Sequence, residues 1–369
     1  MIRSLALAAL LVSVAGCGDQ PLITLPKATG PIPEVLVVSD TSTWNGPVGD
    51  AVREVLAQPI RTLPNQQGFL RLRFQQLEPE FLTQIRKTRN VLFVAPITSR
   101  TAIGDYLRAR IPEGQQQALT SGQSVGVTVR ENLWASGQVV VTATAGSDSL
   151  LADALLGRAD SLRAVYNRNV LDWTEVEMYD RARQTEEEDE LMAAKGWALA
   201  LQHDYIQVQD TTVSAAGRTG EFVRFRRIVP ETWRDFFVFV QDGVTEVPPR
   251  SDLDALTNDL LEQFAVGELD STYIQLDPRR PVTTDSVQIG ERPADETRGL
   301  WRMIGYPMGG SYIRYAFVDE ATDRLYVYYG MIFSPVPRYD KREFLRQMEI
   351  IGTTFRTRED EERAGAMAG

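Results

Sequence analysis

Past its first thirty residues the chain alternates short apolar runs with stretches of helical period. Val35-Leu36-Val37-Val38 is continuously apolar, as a strand covered on both faces must be. Val48, Val52, Val55 and Leu56 then recur at helical spacing, behind Asn45 and Pro47, residue types that suit a helix start. Leu70 to Leu77 is a second strand, and a short helix around Phe81, Leu82 and Ile85 leads into a third at Val91-Leu92-Phe93-Val94. A helical or irregular stretch covers Thr101 to Gln117. Two further strands run from Ser124 to Asn132 and from Gln138 to Thr144, and Ser149 opens a helix carrying Leu151, Leu155, Leu162 and Tyr166. Strands alternating with helices predict a layered N-terminal α/β domain over residues 34–168. No glycine-rich fingerprint follows the first strand, which argues against a dinucleotide fold.

Residues 169–195 keep the helical pattern but turn polar, and Glu186-Glu187-Glu188-Asp189-Glu190 reads as the solvated face of a linker helix. Calcium loops gather their ligands with turns and glycine, and this run has neither. Residues 196–356 predict a second domain. Its strands are Trp197 to Val208, Glu221 to Val229, Arg234 to Gln241, Leu300 to Ile304, Tyr312 to Val318 and Leu325 to Phe333. Phe236-Phe237-Val238-Phe239-Val240 is apolar on both faces and therefore central. Ser251 with Asp254 suggests a capping box ahead of Leu253, Leu256, Leu260 and Phe264. A last helix from Asp340 carries the stripe Phe344, Met348, Ile351 and Phe355. Residues 357–369, charged and then small, read as a disordered tail. The expected class is α+β: two layered domains with mostly antiparallel sheets flanked by helices, the C-terminal one an α/β/α-like sandwich.

The N-terminus changes the picture. Arg3, the apolar stretch Leu5 to Val14, and the small residues Ala15-Gly16 have the order of a secretory signal peptide over residues 1–16. The apolar stretch is far shorter than the roughly 20 residues a membrane span needs. Val14-Ala15-Gly16-Cys17 resembles the lipobox of bacterial lipoproteins, with Val14 where leucine is commoner. The resemblance implies lipidation of Cys17, the only cysteine in the chain. An ordinary signal with an incidental cysteine is the alternative. Stable anchoring takes two acyl chains or more, at about 0.8 kcal/mol per buried methylene, and a diacylglyceryl cysteine meets that need. Residues 17–33, with Pro21, Pro26, Pro31 and Pro33, read as a tether. The expected address is the cell envelope, lipid-anchored. By the enterobacterial sorting pattern, Gly18 rather than aspartate after the cysteine favours the outer membrane, facing the periplasm.

Composition then removes chemistries. With Cys17 lipidated there is neither a disulfide nor a free thiol. His203 is the only histidine, so zinc, copper and non-haem iron sites are excluded and no cofactor is expected. A net charge of −11 argues against nucleic acid. Only four of the 39 basic residues are lysine (Lys27, Lys87, Lys195 and Lys341), a bias that fits a GC-rich genome.

Several segments resemble an uncharacterised lipoprotein family of gram-negative bacteria, a domain of unknown function. They are Gly30-Pro31-Ile32-Pro33-Glu34-Val35-Leu36-Val37-Val38, Trp44-Asn45-Gly46-Pro47-Val48-Gly49-Asp50, Gly309-Gly310-Ser311-Tyr312 and the helix from Lys341 to Glu349. The element order of the C-terminal half is similar to the sandwich of the photosystem extrinsic subunit and its Mog1-like relatives. That likeness implies a docking or assembly module, by fold analogy alone.

Three places are candidate sites. Asp40, Trp44, Asn45 and Asp50 follow the first strand, where layered α/β folds gather ligands. Helix-start roles explain Asn45 and Asp50 equally well. Trp301 and Arg302, with Gly309, Gly310 and Tyr312 after the loop from Gly305, could bind a peptide, a sugar or an anion, or could simply make a turn. His203-Asp204 has no nucleophile spaced near it. No catalytic residue is assigned. The expectation is a non-catalytic module that binds the membrane through its lipid and an envelope protein or cell-wall component through its body. A glycan-acting enzyme using carboxylates alone and a small-ligand-binding lipoprotein are the alternatives.

Overall fold

The computed structural model describes residues 24–65, 67–229, 231–335 and 339–368, so the expected signal peptide and Cys17 lie outside the described residues. In the N-terminal domain five strands, β1 (Glu34–Ser39), β2 (Arg71–Gln76), β3 (Asn90–Val94), β4 (Gly126–Glu131) and β5 (Val139–Thr144), form one sheet in the order β2-β1-β3-β5-β4. The β1–β2, β1–β3 and β3–β5 pairs are parallel, and β4 closes one edge antiparallel. The helices are α1 (Thr41–Trp44), α2 (Pro47–Leu56), α3 (Leu82–Ile85), α4 (Ala102–Arg108), α5 (Glu113–Thr120), α6 (Asp148–Leu156) and α7 (Ala159–Tyr179).

Strand alternation sends β1 side chains both ways. Val35 and Val37 meet α2, α6 and α7, while Leu36 and Val38 meet Ile85, Ile103 and Leu107 of α3 and α4. Each such fully buried side chain contributes about 1.5–3 kcal/mol. The continuous apolar runs of β1 and β3 are what a sheet with helices on both faces requires.

The C-terminal domain comprises α8 (Thr185–Lys195), β6 (Trp197–Ala198), β7 (Tyr205–Ala215), β8 (Arg218–Val229), β9 (Thr232–Asp242), α9 (Arg250–Phe264), β10 (Tyr273–Leu276), β11 (Thr283–Ile289), β12 (Arg292–Ile304), β13 (Gly309–Asp319), β14 (Arg324–Phe333), α10 (Lys341–Thr353), β15 (Arg356–Thr357) and α11 (Arg358–Ala368). Eight strands make a curled antiparallel sheet, β10-β12-β13-β14-β9-β8-β7, with β11 beside the first half of β12. Phe236 and Val238 of β9 pack toward α8 and α10, and Phe237 and Phe239 toward α9. The apolar run is central for that reason. The whole is an α+β fold of two domains.

Four expectations are corrected. Residues 169–195 are not one linker helix. α7 belongs to the first domain through Asn169 Nδ2 to Asn90 Oδ1 (2.8 Å) and Trp173 Nε1 to the Gly137 carbonyl (2.7 Å). α8 belongs to the second through buried Leu191 and Met192, so the boundary falls between Tyr179 and Thr185. Within the acidic run Glu188 is buried, taken by Arg183 (2.7 Å), Arg356 (3.2 Å) and the Leu201 amide (2.9 Å). Residues 357–368 are ordered rather than a loose tail, because Asp360 binds Arg292 at 2.7 Å and the Thr357 amide at 2.8 Å. The described end of the tether docks as well: Ala28 is buried and its amide donates to the Ser136 carbonyl at 2.9 Å.

The segment 57–70 between α2 and β2 joins the domains. Leu63 enters the core of the second domain, and Ser311 Oγ donates to the Thr62 carbonyl at 2.6 Å. Arg342 reaches the Gly68 carbonyl (2.5 Å), and its amide donates to Gln67 Oε1 (3.0 Å). Arg346 reaches the Phe69 carbonyl (2.8 Å), and Arg71 pairs with Asp340. Lone backbone carbonyls at the end of an irregular segment are thus capped by guanidinium groups from α10.

Candidate functional site

Asp40 sits where β1 ends beside β3, the point at which the strand order reverses. One carboxylate oxygen accepts from Ser42 Oγ (2.5 Å) and the Thr43 amide (2.9 Å). The other accepts from the hydroxyls of Thr43 (3.0 Å), Thr101 (3.3 Å) and Ser99 (3.4 Å). Burial by itself would raise this carboxyl, but the donors outweigh it and hold it below the usual carboxylate range. Asp148, at the start of α6, is pushed up by burial and by the charge of Asp40. The Ser42 and Thr43 contacts cap α1, while those to Ser99 and Thr101 tie the β1–α1 connection to the β3–α4 connection. Trp44 stacks on Phe74 (5.3 Å between centroids) and lies under Arg53, which also pairs with Asp50 at 3.1 Å. Asn45 ends α1, and Gly46, not Asn45, precedes Pro47 at the start of α2. These four residues share one segment, in which Asp40 caps α1 and Asn45 closes its other end.

His203 is exposed, and Asp204 turns away from it to Arg227 (2.6 Å). The capping box at Ser251 does not form. Ser251 Oγ donates to Asp252, while Asp254 pairs with Arg250 (3.1 Å) and with the fully buried Arg314 (2.8 Å).

The Trp301 region does carry a cleft, of about 410 Å³. Its polar wall is Arg279, Arg280, Arg302 and Asp277, its apolar wall Trp301, Met308 and Pro307, with Tyr306 on the rim. Pro64 comes from the interdomain segment, so both domains contribute. Asp277 takes Arg279 bidentate (2.8 and 2.9 Å), and that guanidinium holds the Asp277 carboxyl below the usual range. Arg280 has no ion-pair partner among the described residues. Arg302 Nη2 donates to Gln275 Oε1 at 3.3 Å, while its Nε is buried with no hydrogen-bond partner among the described residues. Three guanidinium groups against one carboxylate leave this cleft positive on a chain of net charge −11.

Of the other predicted residues here, Trp301, Gly309 and Gly310 line the cleft, and Tyr312 is not among its lining residues. Trp301 is buried and donates Nε1 to the Ile332 carbonyl (3.2 Å). Gly309 and Gly310 pair with Arg302 and Trp301 across β12 and β13, and a side chain on Gly310 would strike the Ile332 carbonyl and the Trp301 ring. Tyr312 stacks on Tyr329, and burial pushes its phenol up to about 12, so it stays protonated at neutral pH. Sequence reasoning missed Asp277, Arg279, Arg280 and Pro64. The run Pro278-Arg279-Arg280-Pro281, two cations fixed between prolines, was the available signal.

Among the described residues no three His, Cys, Asp or Glu side chains gather as a metal site. No described helix is long and apolar enough to cross a membrane. Residues 28–179 match the family model described as Domain of unknown function (DUF8532), and residues 184–354 match Domain of unknown function (DUF4837). The two matches meet at the boundary between α7 and α8. No curated protein matches the chain.

Proposed function

We propose that this protein is a non-catalytic binding module of the bacterial cell envelope, held to a membrane by lipid on Cys17, and that it receives an anionic group of its partner in the Arg302 cleft. The partner is an envelope protein or a cell-wall component that presents a carboxylate or phosphate. The observation that carries the reading is Arg302 Nε: a buried donor without an acceptor among the described residues, in the same cleft as Arg280, which has no ion-pair partner among them, and beside apolar walls. A buried donor left unpaired costs about 1–3 kcal/mol, which a ligand oxygen placed there would recover. Guanidinium forks suit carboxylate and phosphate oxygens, and the apolar wall suits the ligand's body.

Two measurements test it. Acidic peptides and phosphate-bearing glycans are titrated into the protein in thermal-shift assays, with Arg302→Gln as comparison. At a hundredfold excess over Kd a bound probe stabilises by about 2.7 kcal/mol, a rise of roughly 5–10 °C for a domain of this size. That rise is expected in the wild type and absent in Arg302→Gln; equal response in both sinks the cleft assignment. Co-purification from gently solubilised membranes, comparing wild type with Cys17→Ser, tests the tether. A partner held equally by both forms would remove the lipid from its recruitment.

A further inference from the structure

β7 is the outer strand of the eight-stranded sheet, hydrogen-bonded to β8 on one side only. Side-chain amides close both ends of its free edge: Gln184 Nε2 donates to the Tyr205 carbonyl (2.8 Å) and Gln263 Nε2 to the Ser214 carbonyl (3.2 Å). Between them, no strand among the described residues pairs with the free side of residues 206–213. By the two-residue alternation of an antiparallel ladder, counted back from Ser214, the backbone of Thr212 and Asp210 faces the open side. A bulge at Val208, between Gln207 and Gln209, bends the strand and discourages flat sheet-to-sheet association. Ile206 and Val208 are nonetheless 46% and 38% exposed there, high values for branched apolar side chains on a strand.

Alongside this edge runs α8, and the groove between them has a volume of about 420 Å³. Its apolar floor is Leu191, Ala194, Leu201 and Phe225. Glu187 and Glu190 stand on the rim at helical spacing with the floor residues Leu191 and Ala194. Neither glutamate has a cationic partner among the described residues, whereas the one lysine in the groove, Lys195, is taken by Asp210 at 2.8 Å. The acidic run thus divides its work: Glu188 points inward to two arginines, and Glu187 and Glu190 face the groove.

We propose that this groove takes an extended peptide as an added strand on β7, with apolar side chains against the floor and arginine or lysine at alternate positions on the glutamate rim. Main-chain pairing would supply general affinity and the alternating side chains specificity, as in other cases of strand addition. A second copy of this chain fits poorly, because edge-to-edge pairing would bring two acidic rims together. The site is separate from the Arg302 cleft, which has the opposite charge, so the two readings stand or fall independently.

The test uses the full chain in detergent and labelled nine-residue peptides alternating arginine with valine, followed by anisotropy, with the same peptide carrying glutamate for arginine as control. The arginine peptide is expected to bind and the glutamate peptide not to. The double variant Glu187→Lys/Glu190→Lys, confined to exposed side chains, is expected to weaken binding about tenfold or more. Thr212→Pro removes an outward N–H without touching the β8 ladder and is expected to abolish binding. Amide exchange should slow at 210–212 when the peptide is present. The proposal is overturned by equal binding of both peptides, by unchanged affinity in the glutamate variant, by no binding to the wild type, or by a dimer whose 210–212 amides are protected without peptide.

Discussion

Asp40 illustrates how a single side chain can look like a ligand residue and serve the fold. Its two oxygens accept from three hydroxyls and an amide within 3.3 Å, on two different connections. Asp40→Ala removes an N-cap and leaves the β3–α4 connection without its acceptor, a loss of about 2 kcal/mol in urea unfolding. The titration adds a second check. The folded carboxyl lies below its ordinary value of 3.8, so its contribution is complete above that value and is lost as the pH falls from there through the lower, folded-state pKa. Wild type should therefore lose stability faster than Asp40→Asn over that acid window, and parallel curves would show that the hydrogen bonds do not discriminate between charge states.

At the scale of elements, one glycine in β13 and one in α5 show what glycine is for. A Cβ on Gly310, near the start of β13, would strike both the Ile332 carbonyl and the Trp301 ring. Gly310→Ala is expected to cost about 3 kcal/mol through overpacking. Gly114, in the exposed first turn of α5, has nothing near where a Cβ would be. Gly114→Ala should stabilise by about 0.5–1 kcal/mol through the unfolded chain and helix propensity. Paired urea titrations of these two variants measure packing against backbone entropy, and a similar ΔΔG at both positions would contradict the packing account of the glycine pair.

The whole molecule is held as one unit by α10 gripping the segment 57–70. The Arg342 side chain is 4% exposed and shared among Asp340 (2.5 Å), Glu343 (3.2 Å) and the Gly68 carbonyl. Asp340 is half-buried, and burial by itself would raise its pKa, but Arg342 and Arg71 outweigh it and hold it low. Removing one partner of such a cluster strands the other, at about 3–5 kcal/mol. Arg342→Ala is expected to separate the thermal unfolding of the domains into two calorimetric transitions and to open residues 180–184 to proteolysis. A single transition, merely shifted, would place the coupling of the domains elsewhere, in the Leu63 and Ser311 contacts.

Much of this was already legible along the chain. Continuous apolar runs at 35–38 and 91–94 announced strands covered twice, and the run at 236–240 announced a central one, because burial on both faces leaves no polar alternate positions. Helical stripes at 48–56, 253–264 and 344–351 were as clear, since a helix facing one core must repeat near 3.6. Periodicity carries no record of partners distant in sequence, and those decided the rest. Glu188 became buried inside an acidic run because Arg183 and Arg356 converge on it from opposite ends of a domain. Residues 357–368 became ordered because Arg292 lies where the chain returns. Trp301 and Gly310 meet Arg279, Arg280, Arg302 and Pro64, spread over 239 positions of sequence, in one cleft. A side chain's type is written locally, but its charge environment is set by what the tertiary fold brings alongside it.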